Sequence, residues 1–129
     1  APELLALLEA IEAEQCPGAV LGVPAADTLK RSNMLCACPE GADSCIGETI
    51  DRSGIWNAMT PQVFPLQALR DALLGASERG QVVTDEAQAM EAMGTVPWLI
   101  RGRRSNVKLT YAEDIELMEA VLRHRQVSP

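Results

Sequence analysis

The sequence predicts an α/β fold, and three observations carry that expectation. Leu4, Leu8 and Ile11 recur at helical spacing across residues 3–14, with Glu3, Glu9, Glu12 and Glu14 mostly on the other side. Cys16-Pro17-Gly18 then stops the helix. Residues 19–23 follow as one continuous apolar run, the pattern of a strand buried on both faces in a parallel sheet. Helix, tight turn and buried strand in succession are the units of α/β architecture.

Residues 24–46 change character. Asp27-Thr28-Leu29-Lys30-Arg31 suits an extended segment, and residues 32–45 carry the Pro, Gly, Asn, Asp and Ser of a loop or hairpin tip. Residues 47–52 resume an extended alternation before the Ser53-Gly54 turn. The path is that of an arm running out and back, and an arm that cannot bury its own face packs on a partner subunit. Residues 56–65 hold two prolines and read as an irregular extended segment. Residues 66–79 read as a helix with Leu66, Leu69 and Leu73 on one face, closed by Gly80. Thr84 is the expected N-cap of the next helix, with Asp85 and Glu86 in its first turn and its end at Gly94. Residues 96–100 read as a strand, 101–105 as a loop and 106–110 as an alternating strand. Thr110-Tyr111-Ala112-Glu113 has the form of a capping box for a last helix. Ile115, Met118, Val121 and Leu122 are its expected inward face, with Arg123, His124 and Arg125 near the end where the helix dipole favours cations. No repeat, low-complexity tract or second domain is evident.

The 129 residues suit one domain, and 47% apolar with 22% charged residues is globular composition, which excludes disorder of the whole chain. No apolar run reaches the ~18 residues of a membrane-spanning helix. Eleven basic against eighteen acidic residues give a net charge of −7. Such a chain is a poor general ligand for nucleic acid. Its few aromatics, Trp56, Phe64, Trp98 and Tyr111, make no base-stacking platform. No signal segment is evident, so Cys16, Cys36, Cys38 and Cys45 are expected as reduced thiols. Cys36-x-Cys38 followed by Cys45 departs from the usual zinc spacing, and His124 lies far along the chain. Incidental thiols in a surface insertion are the expectation, with a metal cluster and a disulfide as the alternatives.

No Ser-His-Asp or Cys-His arrangement stands out, and there is neither a G-x-G-x-x-G nor a P-loop. The lone His124 is expected as a solvated surface residue. Cations are more informative: Arg101, Arg103, Arg104 and Lys108 fall within eight residues, and Arg52 sits at the base of the expected arm. Arg grips phosphate through two parallel N–H bonds, and Lys acts as a mobile point charge. Thr84 adds a hydroxyl and helix-start N–H groups. From spacing alone, a solvated charged loop and an ordinary cap are the preferred reading.

The order of the motifs carries more. Asp27-Thr28-Leu29-Lys30-Arg31, Thr49-Ile50-Asp51-Arg52, Trp56-x-Ala58-x-Thr60-Pro61-Gln62-x-Phe64, Thr84-Asp85-Glu86-Ala87 and Asn106-Val107-Lys108-Leu109-Thr110 with Glu113-Asp114 follow one another. This series resembles the C-terminal half of the 2-C-methyl-D-erythritol 4-phosphate cytidylyltransferases, and it spans nearly the whole chain. The resemblance implies a Rossmann-like nucleotidyltransferase fold of the nucleotide-diphospho-sugar transferase type, with a protruding β-arm that joins a homodimer. On it, residues 1–129 are the C-terminal part of a single cytidylyltransferase domain, with 25–55 as the dimerisation arm. It further implies a cytoplasmic enzyme that transfers CMP from CTP to methylerythritol phosphate and releases pyrophosphate, without nucleic acid or membrane as a partner. Thr28 and Arg52 match arm positions that reach into the partner's substrate site. Thr60, Thr84 and Lys108 match substrate-contacting positions of the main body. Arg52 and Lys108 match the catalytic pair that orients the substrate phosphate.

Two departures accompany the match. The half carrying the CTP loop and the Mg2+ ligands has no counterpart here, so the chain is expected to be inactive alone, with no metal ligand of its own. Residues 32–45 are also longer than the pattern and rich in Cys. With no further segment after the last helix, the expectation is the unfused form of the family, not the one that continues into a cyclodiphosphate synthase. The alternatives are a cytidylyltransferase for another polyol phosphate, such as ribitol 5-phosphate, and a non-catalytic dimerisation module.

Overall fold

A computed structural model describes residues 2–127 of the chain. In chain order the elements are α1 (Pro2–Glu12), β1 (Ala19–Pro24), β2 (Leu29–Asn33), β3 (Cys45–Ile50), β4 (Trp56–Val63), α2 (Leu66–Glu78), α3 (Glu86–Glu91), β5 (Trp98–Arg101) and α4 (Asp114–Val127). They form two compact units, Ala1–Val23 with Ala58–Pro129 and Pro24–Asn57.

The first unit is built on β1. Ala19, Val20 and Leu21 are 0–3% exposed, as an uninterrupted apolar run requires. The strand lies in the middle of a three-stranded sheet of order β4-β1-β5. It runs parallel to β5, with Ala19 opposite Trp98 and Gly22 opposite Arg101. Backbone bonds from Trp98 N to Gly18 O (2.8 Å) and from Gly102 N to Gly22 O (2.9 Å) carry the pairing past both ends. Residues 56–63 form a strand, β4, with a cis Thr60–Pro61 bond within it, where the two prolines pointed to an irregular segment. It is an edge strand of the sheet, and an edge tolerates the missing N–H of Pro61.

Two apolar clusters hold this unit. Leu7, Cys16, Ala19 and Leu21 pack with Met59, Val63 and Ile100 under α1. Ala72, Ala89 and Met90 join α2 to α3, with Phe64, Leu69 and Val83 around them. The buried faces differ from the expected ones. In α1 it is Leu7 that is fully buried, while Leu4 and Leu8 stay about two-fifths exposed. In α2 the buried residues are Ala72 and Ala76, and Leu66 is 83% exposed. Small side chains let α2 approach α3 closely, so the seam follows the alanines rather than the leucines. In α4, Met118 and Val121 are half-buried, but Ile115 and Leu122 are exposed.

Three boundaries also move. Asp85, not Thr84, caps α3, its Oδ1 accepting from Gln88 N at 2.9 Å. Residues 106–110 form no strand. Asn106 N bonds back to Arg103 O in a turn, and the Asn106 side chain donates to Thr60 O at 2.7 Å. At the start of α4 the expected capping box gives way to Asp114, whose Oδ2 accepts from both Thr110 N and Tyr111 N at 2.8 Å. Arg123 pairs with Glu119 one turn earlier in α4 at 2.6 Å, and the side chain of Arg125 lies outside the described residues.

The second unit is an antiparallel β-hairpin. Leu29 faces Ile50 and Asn33 faces Cys45, with a bulge between Arg31 and Ser32. Lys30 Nζ donates to Thr49 Oγ1 at 2.6 Å, and Arg31 Nε to Glu48 Oε1 at 2.7 Å, both between exposed cross-strand neighbours. Ala25 N donates to Ile55 O at 2.9 Å and closes the base. In the tip, Cys36 and Cys45 are disulfide-bonded rather than reduced. The compartment argument for thiols does not weigh geometry, and the hairpin brings these Cα atoms to 6.1 Å, within disulfide range.

Two predictions follow from these contacts. A Cβ on Gly18 would run into the ring of Phe64. Gly18→Ala is expected to lower stability by about 1–3 kcal/mol in urea unfolding, the usual cost of overpacking. An unchanged midpoint would mean the ring moves aside freely. The bonds from Tyr111 N and Thr110 N hold the Asp114 carboxyl below its ordinary value of 3.8. A lowered native pKa adds stability above the unfolded value, and that stability is lost as pH falls through the folded one. Asp114→Ala is therefore expected to make the acid limb of the stability profile shallower below about pH 4. An identical acid limb in the variant would show that this cap contributes nothing.

Candidate functional site

A cleft of about 660 Å³ opens in the first unit, lined among others by Thr60, Gln62, Thr84, Asp85, Asn106 and Lys108. Three segments supply these residues. Thr60 and Gln62 both come from β4. Thr84 and Asp85 come from the loop and cap before α3. Asn106 and Lys108 come from the irregular segment after β5.

Gln62 pins the floor. Its Nε2 donates to Asp85 Oδ2 at 2.9 Å, and its Oε1 accepts from Ala87 N at 3.0 Å. Asp85 in turn accepts from Gln88 N through its other oxygen. Gln88 Oε1 accepts from Thr84 N at 2.6 Å and from Thr84 Oγ1 at 3.3 Å. The N–H groups of Thr84, Ala87 and Gln88 are therefore taken by side chains. These three N–H groups are thus not free for an anion, and the Thr84 hydroxyl, which donates to Gln88 Oε1, keeps its acceptor side open. Asn106 ties its own segment to β4 through Thr60 O, which holds Lys108 at the rim.

Lys108 is exposed, and among the described residues no carboxylate pairs with it. The other cations of the Arg101–Lys108 stretch are not among the residues lining the cleft. Arg101 ends β5, and Arg103 lies 3.6 Å from Glu3 on α1. Of the four cations close in sequence, Lys108 alone lines the cleft. The cleft thus offers the Lys108 ammonium and two threonine hydroxyls, beside two carboxylates, the braced Asp85 and the exposed Glu86. That set fits a hydroxylated anion: the ammonium for the charge, the hydroxyls and Asp85 for its OH groups.

Of the five residues expected from sequence, Thr60, Thr84 and Lys108 line this cleft. Thr28 and Arg52 belong to the second unit and are not among its lining residues. Thr28 is exposed just before β2, and Arg52 is exposed in the turn after β3. That turn is well defined. Ser53 N donates to Asp51 Oδ1 at 2.9 Å, and Ile55 N to Arg52 O at 3.0 Å. Gly54 takes a positive φ of 77° there. Bonds from the backbone and side chain of Ser53 hold the Asp51 carboxyl below its usual range. Gln62, Asp85 and Asn106 are site residues that the sequence reading missed. The closeness of Gln62 to Thr60 in sequence and the Asp immediately before a helix were the signals available.

Fold and cleft together define an α/β domain of the nucleotidyltransferase type. Solved structures agree. A 4-diphosphocytidyl-2C-methyl-D-erythritol synthase superposes with a TM-score of 0.73 at 38% identity, over 94% of this chain and 50% of that one. The 2-C-methyl-D-erythritol 4-phosphate cytidylyltransferase of Francisella tularensis gives 0.78 at 27% identity, over 93% and 52%. The family model for 2-C-methyl-D-erythritol 4-phosphate cytidylyltransferase matches residues 1–124, and the chain belongs to this family. The proteins of that name from Acidithiobacillus ferrooxidans and Ralstonia nicotianae are 47% and 45% identical, over 95% and 94% of this chain. The chain spans about half the length of these relatives, 48% and 46% respectively.

The Gln62 brace is open to test. Gln62→Leu removes partners from Ala87 N and Asp85, and a buried unpaired group costs about 1–3 kcal/mol. Urea unfolding of the variant is expected to show a loss of that size. A loss well under that range would mean solvent replaces the side chain at no cost.

Proposed function

We propose that the protein containing this chain transfers CMP from CTP to 2-C-methyl-D-erythritol 4-phosphate and releases pyrophosphate, in the non-mevalonate isoprenoid route. This chain supplies the substrate-binding half. The observation that carries the reading is the meeting of Thr60, Thr84 and Lys108 in one cleft of a chain of this family. A polyol phosphate presents hydroxyls and a dianion, and the cleft presents their complements.

The substrate's phosphate oxygen is already a nucleophile, so the reaction asks the protein for positioning and charge compensation rather than proton removal. In this reading Lys108 draws the phosphate to the rim and offsets its repulsion from the nucleotide. Thr60 and Thr84 fix the polyol through their hydroxyls. Gln62 and Asn106 keep these groups in place without touching the reacting atoms. Arg52 supplies the second cation, with two N–H bonds for one phosphate. Residues 25–55 act as a dimerisation arm, so that Thr28 and Arg52 of one subunit complete the site of the other in a homodimer.

The reaction requires a divalent cation, Mg2+ in this proposal. The cleft itself does not suit one: of its two carboxylates, Asp85 already accepts a hydrogen bond on each oxygen, which leaves Glu86 as a single unengaged ligand. Among the described residues no group of three metal-type ligands converges there. The ion and the CTP phosphates are therefore assigned to residues outside this chain. A cytoplasmic location belongs to the same reading, and no described helix is long and apolar enough to cross a membrane.

The test is pyrophosphate release by the full-length protein with CTP and either methylerythritol phosphate or ribitol 5-phosphate. Turnover is expected with the former, and preference for the pentitol phosphate would overturn the substrate assignment. Lys108→Ala and Arg52→Ala are each expected to lower kcat/KM by about 10²–10³-fold, the scale for loss of one positioned charge-stabilising group. Mixing Arg52→Ala subunits with Thr84→Ala subunits is expected to restore part of the activity. No recovery would mean that each site is built from one chain.

A further inference from the structure

None of the residues argued for CMP transfer lies in the hairpin tip from Asn33 to Cys45, yet that tip loop, with the first residue of β3, holds three of the four cysteines. They converge. Cys36 is bonded to Cys45, and the Cys38 Sγ lies 3.1 Å from the Cys45 Sγ. All three sulfurs lie within 4.8 Å of one another. A disulfide needs two cysteines and leaves the third without a task, its nearest other partner being Cys36 O at 3.9 Å.

The loop is shaped to bring them together. Asn33 pairs with Cys45 at the end of the hairpin. Its side chain accepts from Leu35 N at 3.0 Å, and its carbonyl from Cys36 N at 3.3 Å, so Cys36 folds back over the strand ends. A second turn, from Pro39 to Ala42 with Gly41 at a φ of 87°, returns the chain to Cys45. Cys38 and Cys45 are half-buried, although Met34 and Leu35 beside them are 88% and 96% exposed.

The spacing suits one ion. Thiolates bound about 2.3 Å from a tetrahedral cation lie about 3.8 Å from one another, within the range these sulfurs span. We infer that the reduced loop is a metal site, binding one soft divalent cation of the zinc class through Cys36, Cys38 and Cys45. Three sulfurs and no oxygen ligand select against magnesium and calcium. Among the described residues no fourth ligand joins the group, so the fourth position is left to water or an external donor. The disulfide form cannot bind, because two of the three sulfurs are committed to each other. A dithiol reductant converts it. Two electrons and two protons pass to the Cys36–Cys45 bond, which breaks to two thiols as the reductant becomes a disulfide. The cation then displaces one proton from each of the three thiols.

The site stands apart from the transfer reaction and is tested without it. The full chain is reduced with a phosphine, freed of reductant under nitrogen and titrated with Zn2+, with native mass spectrometry as the readout. One Zn2+ per reduced chain is expected, and none on the oxidised chain. Cys38→Ser is expected to weaken binding by at least about 10–100-fold, the loss seen even for outer-shell partners. Cys16→Ala, outside the loop, is expected to leave the stoichiometry at one. Co2+ in place of Zn2+ is expected to give a thiolate charge-transfer band in the reduced protein, a readout that needs no variant. A reduced chain that takes up no zinc and shows no such band overturns the site. So does equal binding by the oxidised chain or by Cys38→Ser.

Discussion

The first unit depends on the burial of one strand. β1 sits between β4 and β5 with Ala19, Val20 and Leu21 removed from water, and Leu7 and Leu21 are fully buried in one cluster. Each such leucine is worth about 1.5–3 kcal/mol of transfer free energy. More important is what the strand orients. Its pairing with β5 sets where the chain leaves the sheet at Gly102, and its other neighbour, β4, carries Thr60 and Gln62. The cleft is therefore a consequence of the sheet order, not a separate invention of its loops.

Around that sheet the site is braced by hydrogen bonds rather than by ion pairs. Gln62, Asp85, Gln88 and Thr84 form a chain of donors and acceptors that uses the backbone N–H groups at the start of α3. The same network leaves Lys108 as the cation at the rim without an ion-pair partner among the described residues. An ammonium already neutralised by a carboxylate would have to give up that partner to meet a phosphate, at a cost in free energy. A free one, on a segment tied down at Asn106, does not. Rigidity in the floor and an unpaired charge at the rim are the two properties that positioning a dianion asks for.

The hairpin unit has a different economy. It buries little apolar surface of its own, and its strands are joined by exposed cross-strand pairs such as Arg31 with Glu48. Exposed pairs contribute little stability. The covalent link at its tip and the turn at its base, where Asp51 and Gly54 set the backbone, do more to define its shape.

Much of this was legible in the chain itself. The apolar run of residues 19–23, the breaks at Gly18 and Gly80 and the motif order were enough for the α/β class, the family and three residues of the cleft. Those signals are local, or depend on residue order, and both survive without coordinates. What the tertiary structure decided is non-local. Helix periodicity pointed to Leu4, Leu8 and Leu66, but the partner surfaces chose Leu7, Ala72 and Ala76, because close approach of α2 to α3 favours small side chains. Spacing grouped Arg101, Arg103, Arg104 and Lys108, but of these Lys108 alone lines the cleft, and Arg103 lies against Glu3. Spacing likewise set the cysteines outside any usual metal pattern, and only the register of β2 on β3 brought three sulfurs within reach of one ion. A sequence states which groups a chain possesses and in what order. Which of them meet depends on how distant segments pack, and that is settled by contacts no local pattern contains.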